Sequence, residues 1–109
     1  MGVMDEELQA IVAELRDHFE QLYGPRLVRL VLFGSQARGD AEPGSDIDVL
    51  VVLAGPVSAA EEAALTLDFR AELSLRYNTV VSCIFMSAQR FEHERSPLLL
   101  NVRREGVTV

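Results

Sequence analysis

The stretch LVRLVLFGSQARGDAEPGSDIDVLVVL, residues 27–53, decides how this chain folds. Its two ends, Leu27–Phe33 and residues 46–53, are apolar apart from Arg29 in the first and Asp46 and Asp48 at the head of the second. Short apolar runs bounded by turn signals suit strands covered on both faces. Between them, residues 39–45 hold two glycines, a proline and two acids, which is loop chemistry. Ser35–Arg38 leaves room for one helical turn before that loop. Parallel neighbours need a crossover of a dozen or more residues, usually helical, and this link is too short and half loop. The two strands should therefore run antiparallel, with the end of the first beside the start of the second. That arrangement brings Gly34 and Ser35 against Asp46 and Asp48.

Outward from this centre, Leu8, Ile11, Val12, Leu15, Phe19 and Leu22 recur at spacings of three and four, marking one face of a helix over residues 5–23 that Gly24-Pro25 ends. Ala54-Gly55-Pro56 breaks the chain after the second strand. Ser58 with Glu61 is a capping-box pattern opening a helix to about Tyr77, with Leu65, Phe69 and Leu73 on its buried face. Residues 79–86 are rich in β-branched and aromatic side chains and read as a third strand. Ser87 can cap a short helical turn. Ser96-Pro97 opens a last helix, Pro97–Glu105, whose end is marked by Arg103, Arg104 and Gly106. Leu98, Leu99 and Leu100 on it serve either a core or an interface. The order is α/β (α+β): a small mixed or antiparallel sheet of about three strands flanked by helices, in two layers and one domain over residues 1–109.

Composition narrows the function. Seventeen acidic against ten basic residues give a net charge of −7, which repels a phosphate backbone and argues against polymeric nucleic acid as substrate. The single cysteine, Cys83, can form no intrachain disulfide and lies in an apolar run, which fits a reducing cytoplasm. No apolar run approaches the roughly 20 residues that span a bilayer, and no signal-like segment opens the sequence.

Asp46 and Asp48 lie two apart on a strand, so they project from one face with Cα atoms roughly 7 Å apart. Paired hard oxygen donors suit Mg²⁺, which keeps several waters and takes further ligands from substrate phosphates. Gly34 lets backbone approach phosphate oxygens, and Ser35 offers a hydroxyl and a main-chain N–H at the start of a helical turn. Arg38, one turn on, either pairs with an acidic neighbour or touches phosphate, and the pairing is favoured. Ser45 reads as a loop-closing hydrogen-bond donor. A lone Gly-Ser is usually a turn, and a lone Asp-x-Asp usually a solvated strand end. Together, with two like charges heading an otherwise apolar strand, they need a common cause.

The segments Leu32-Phe33-Gly34-Ser35-Gln36-Ala37-Arg38-Gly39 and Gly44-Ser45-Asp46-Ile47-Asp48-Val49 resemble the minimal nucleotidyltransferases of the DNA polymerase β superfamily. Their signature is Gly-Ser, ten residues, then Asp-x-Asp, and residues 36–45 fill that interval here. The resemblance implies the nucleotidyltransferase fold. It implies two Mg²⁺ ions held by Asp46 and Asp48, with Gly34, Ser35, Arg38 and Ser45 around a nucleoside triphosphate, ATP or another. It also implies transfer of a nucleotide, AMP in the first instance, to a hydroxyl with loss of pyrophosphate. Similar small transferases act as antitoxins beside a helical HEPN-type partner, to which AMP can be transferred. Such a partner, or further copies of the chain, would complete the acceptor side.

Many members of that superfamily add a third carboxylate on a later strand. Residues 79–86 contain no acid. Ser82 falls near the expected place, and Asp68 and Glu72 lie on the preceding helix. This departure sustains an alternative reading: a catalytically weak nucleotide-binding module that neutralises a partner by complex formation. Other metal chemistries fit less well. A calcium loop counted from Asp46 would put Leu50 and Val51 at its fifth and sixth places, where a ligand and a glycine belong. His18 and His93 read as solvated helix residues far from the motif.

Overall fold

The computed structural model describes residues 6–39 and 45–109. Its elements in chain order are α1 (Glu6–Tyr23), β1 (Leu27–Phe33), α2 (Ser35–Arg38), β2 (Ile47–Leu53), α3 (Ala59–Tyr77), β3 (Val81–Ser87), α4 (Ala88–His93), α5 (Pro97–Glu105) and β4 (Val107–Thr108), with a 3₁₀ turn at Gly24–Arg26 after α1. Three serines start the later helices as expected: Ser58, Ser87 and Ser96 accept through their hydroxyls from the N–H groups of Glu61, Arg90 and Leu99 at 3.4, 3.1 and 3.3 Å.

The sheet order is β3-β2-β1-β4. β1 and β2 are antiparallel, pairing Phe33 with Asp48 and Val31 with Leu50. β2 and β3 are parallel, as a crossover through α3 allows, and pair Asp48 with Ser82 and Leu50 with Ile84. The sheet is therefore mixed, as one of the two expected arrangements, and has four strands, in keeping with the expectation of about three. The fourth, β4, lies antiparallel on β1, pairing Val107 with Leu32 and Thr108 with Val31. Two residues carry no periodicity to read; only the partner strand defines them.

Side chains alternate across β2. Ile47, Val49, Val51 and Leu53 join Leu30, Leu32, Val81 and Phe85 in a core with the buried face of α1 and Leu73 of α3. Leu50 and Val52 point the other way, to a smaller core with Val31, Met86, Leu99 and Val102. Helices thus cover both faces, so the two-layer expectation gives way to three layers at that end of the sheet. Leu99 is the member of the leucine triplet that is buried, and Leu100 is exposed. Asp48 shares the face of Leu50 and Val52 and is half-buried, with Asp46 exposed.

Several residues differ from the sequence reading by one helical step. Tyr23 rather than Leu22 closes the buried face of α1, and its hydroxyl donates to Glu62 Oε1 at 2.8 Å. On α3, Leu65 is exposed while Thr66 is buried, its hydroxyl donating to the Glu62 carbonyl at 2.9 Å. His18 is not a solvated surface residue: it is half-buried and stacks on Phe69 with ring centroids 3.8 Å apart. Burial pulls its pKa down, so the ring favours the neutral form.

Candidate active site

β1 ends at Phe33, and the chain turns at Gly34 with φ 77° and ψ −157°, a region only glycine occupies readily. The Gly34 carbonyl accepts from the N–H groups of Ala37 and Arg38 at 3.1 and 3.2 Å, which forms α2. Gly39 closes it in the left-handed region, its N–H donating to the Ser35 carbonyl at 3.1 Å. The helical turn read at Ser35–Arg38 is therefore present.

Because Phe33 and Asp48 are opposite each other, the turn meets the head of β2. A Cβ on Gly34 would stand 2.6 Å from Asp48 Oδ2, so the carboxylate occupies the space that the missing side chain leaves. Gly34 and Asp48 are therefore in direct contact, with Ser35 next in the chain after the one and Asp46 two residues before the other. Burial, then the neighbouring charge of Asp46, raise the Asp48 pKa from its ordinary value. Among the described residues no arginine or lysine forms an ion pair with either carboxylate. A like-charged pair without a counter-ion among the described residues has the donor chemistry of a cation site.

The flanks of the site are held from elsewhere. Gln36 Nε2 and Thr79 Oγ1 both donate to the Ser45 carbonyl, at 3.3 and 3.1 Å, and Ile47 N–H donates to the Val80 carbonyl at 2.8 Å. These contacts fix the chain on either side of Asp46. The Ser45 carbonyl thus ties this end of the loop to both α2 and the segment before β3. Arg38 pairs with Glu105 of α5 at 3.2 Å. The structural pairing was the favoured reading, but with a partner that no local spacing could have named. Gln36 and Thr79 were missed for the same reason: their value lies in contacts across the sheet. The interior of the Gly39–Ser45 loop, residues 40–44, lies outside the described residues.

Ser82 stands beside Asp48 in parallel register, on the same face of the sheet and half-buried. It occupies the place where a third acid could join the pair. Among the described residues no group of three acids, histidines or cysteines gathers around a common point. Asp68 and Glu72 are exposed on α3, across the sheet from Asp48. Cys83 turns towards the α1 and α3 core, where burial pushes its thiol up to about 12.

A mixed sheet whose second strand is headed by two carboxylates, one of them packed against a glycine-led turn, is a nucleotidyltransferase-type α/β fold. A family profile described as "Nucleotidyltransferase domain" matches residues 12–98, and the chain belongs to that family. A protein of Methanocaldococcus jannaschii, provisionally named a protein adenylyltransferase, is 34% identical over 88 residues, covering 81% of this chain and 80% of the relative. A chain in the crystal structure of a toxin–antitoxin complex with AMP-PNP superposes with a TM-score of 0.62 at 22% identity, over 95% of this chain and 72% of that one. A chain in the complex of a tri-AMPylated Shewanella oneidensis HEPN toxin with an MNT antitoxin does so with a TM-score of 0.58 at 17% identity, over 92% and 69%. At these identities the two structures show a shared fold. Among the described residues no helix is long and apolar enough to cross a membrane.

Proposed function

We propose that this chain is a Mg²⁺-dependent nucleotidyltransferase that moves AMP from ATP to a hydroxyl of a partner protein, as the antitoxin of a HEPN-type toxin–antitoxin pair, in a reducing cytoplasm. Residues 1–109 are taken as one such unit. The observation that carries the reading is the Asp48 carboxylate lying in the space left by Gly34, with the exposed Asp46 two residues before it. The relative's name and the neighbours' contents, AMP-PNP in one and an AMPylated toxin in the other, support the choice of adenylate and of a protein acceptor.

The residues divide the work by position. Asp46 and Asp48 would hold two Mg²⁺ ions, whose hard-cation preference for carboxylate and phosphate oxygens matches this donor set. Bound there, Mg²⁺ supplies electrostatic stabilisation of charge developing on the attacking and leaving oxygens. Gly34 admits the triphosphate close to main chain, and the Ser35 hydroxyl and N–H face it. Arg38, anchored by Glu105, stands one turn behind. An acceptor hydroxyl oxygen forms a bond to the α-phosphorus, the bond from that phosphorus to the β-bridging oxygen breaks, and pyrophosphate leaves. The hydroxyl proton passes to water. The protein contributes orientation and charge and makes no covalent bond itself.

The two-acid site favours a second reading, a nucleotide-binding module that neutralises its partner by covering it. One experiment separates them. The chain is incubated with Mg²⁺ and α-labelled ATP, with and without a HEPN-type protein. Label on the partner, abolished by Asp46→Asn, supports transfer. Absence of label, while MgATP still raises thermal stability, supports the covering module.

A further inference from the structure

Helix α3 uses one side for the fold and leaves a patterned side unused. Thr66 and Leu73 are buried, and Phe69, Arg70 and Tyr77 are half-buried, all facing α1 and the sheet. At about 100° per residue, Ala60, Ala64, Leu67, Ala71 and Leu75 form one stripe on the opposite side. All five are exposed, Leu67 by 54% and Leu75 by 83%. Their spacings of four, three, four and four are those of a seam between packed helices, and the alanines allow a second helix to come close. Single exposed leucines need no explanation, but an ordered row of apolar positions does. Along one edge of the stripe run the exposed acids Glu61, Asp68 and Glu72.

We propose that this outer side of α3 docks an amphipathic helix of a different protein, whose apolar seam lies on Leu67 and Leu75 and whose basic flank meets Glu61, Asp68 and Glu72. Charge selects that occupant over a second copy. Two copies of α3 packed antiparallel about a two-fold axis set like edge against like edge, so the three acids would face the same three acids. Packed parallel, the acids would meet the edge bearing Ala63 and Ser74, which offers no cation. Arg70 near that edge is turned inward, donating to Thr66 Oγ1 and the Ala63 carbonyl at 3.1 and 2.8 Å. Arg76, at the end of the acidic row, is held by Glu14 of α1 and Glu72. The overall charge of −7 adds to the repulsion between copies and from anionic lipid.

This docking face lies across the sheet from Asp48, so a bound partner helix leaves the candidate active site open. The inference does not rest on nucleotidyl transfer, and its test can succeed or fail whatever the outcome of the labelling experiment. Two synthetic helical peptides share one leucine–alanine seam, one flanked by arginine and the other by glutamate. Each is titrated against the full chain by fluorescence anisotropy at low and high salt, and the chain alone is examined by sedimentation. The arginine peptide should bind saturably and more weakly as salt rises, and the glutamate peptide should not bind. Leu67→Glu with Leu75→Glu should weaken binding roughly tenfold or more, which is about 1.4 kcal/mol. Reversing the edge with Glu61→Arg, Asp68→Arg and Glu72→Arg should transfer the preference to the glutamate peptide. Circular dichroism checks that each variant is folded. Equal binding by the leucine variant would overturn the proposal. So would a dimer of the chain that the leucine variant dissolves, uptake on vesicles without peptide binding, or displacement of the peptide by MgATP.

Discussion

Gly34 and Asp48 are matched to each other. A Cβ at Gly34 would collide with Asp48 Oδ2 at 2.6 Å, and its φ of 77° is strained for any other residue. Gly34→Ala should therefore cost about 1–3 kcal/mol of stability, the range for forcing a side chain into such backbone space, and should remove transfer by pushing the carboxylate aside. Denaturant unfolding and the labelling assay read the two effects; a variant of unchanged stability would show that the turn is not held as described. Asp48 behaves in the opposite sense. Its folded pKa is raised, so ionisation opposes folding, and this penalty appears as pH climbs through the usual carboxylate range and is complete above the raised value. Asp48→Asn should leave the ligand-free chain as stable or more stable at neutral pH, with the difference closing on acidification, while transfer is lost. Thermal melts across that pH range test the sign. Ser82 offers the complementary change, since it sits in register beside Asp48 on the same face. Ser82→Asp should speed label transfer at fixed Mg²⁺ while lowering ligand-free stability, because a third like charge joins the pair. A rate no higher than the parent's would argue that the missing acid does not limit turnover.

At the scale of elements, what could be read in the sequence was whatever residues state locally. The β1 and β2 strands, the helical turn between them, all three serine caps and the antiparallel hand of the central pair follow from apolar runs, cap residues and a short link. The meeting of Gly34 with Asp48 follows from that hand alone. What could not be read is set by distant partners. β4 exists because Val107 and Thr108 lie on β1, and Arg38 is anchored because α5 happens to end beside it. Leu65 and Thr66 exchanged roles because hydropathy places a leucine inside, whereas the packing of α3 on the sheet set Thr66 inward with its hydroxyl satisfied by the helix backbone. The junction of α5 with β4 yields a test. A Cβ on Gly106 would lie 2.4 Å from the Val102 carbonyl oxygen and 2.6 Å from Val31 Cγ1. Gly106→Ala should cost about 1–3 kcal/mol, as overpacking does, and should expose the β1 edge, accelerating amide exchange at Leu32. Unchanged exchange there would mean that β4 docks without needing the glycine.

The whole molecule joins these features through linkage, because anything that binds only the folded chain stabilises it. Two acids that form no ion pair among the described residues, beside a turn that can receive phosphate, predict that Mg²⁺ and ATP bind together, each weak without the other. The acids repel a bare triphosphate, and two carboxylates alone are a thin shell for Mg²⁺. At a ligand concentration 100-fold above Kd the gain is about 2.7 kcal/mol, and at about 4–8 °C per kcal/mol for a domain of this size the midpoint should rise by about 10–20 °C. Mg²⁺ alone or ATP alone should give a small part of that. Raising salt should also lift the midpoint modestly by screening the charge of −7, so the comparison must be made at constant ionic strength. Asp46→Asn with Asp48→Asn should abolish the joint effect and keep the salt effect. If the doubly substituted chain were stabilised by MgATP as much as the parent, nucleotide would be binding elsewhere on the molecule, and the pairing of Gly34 with Asp48 would be a feature of the fold alone.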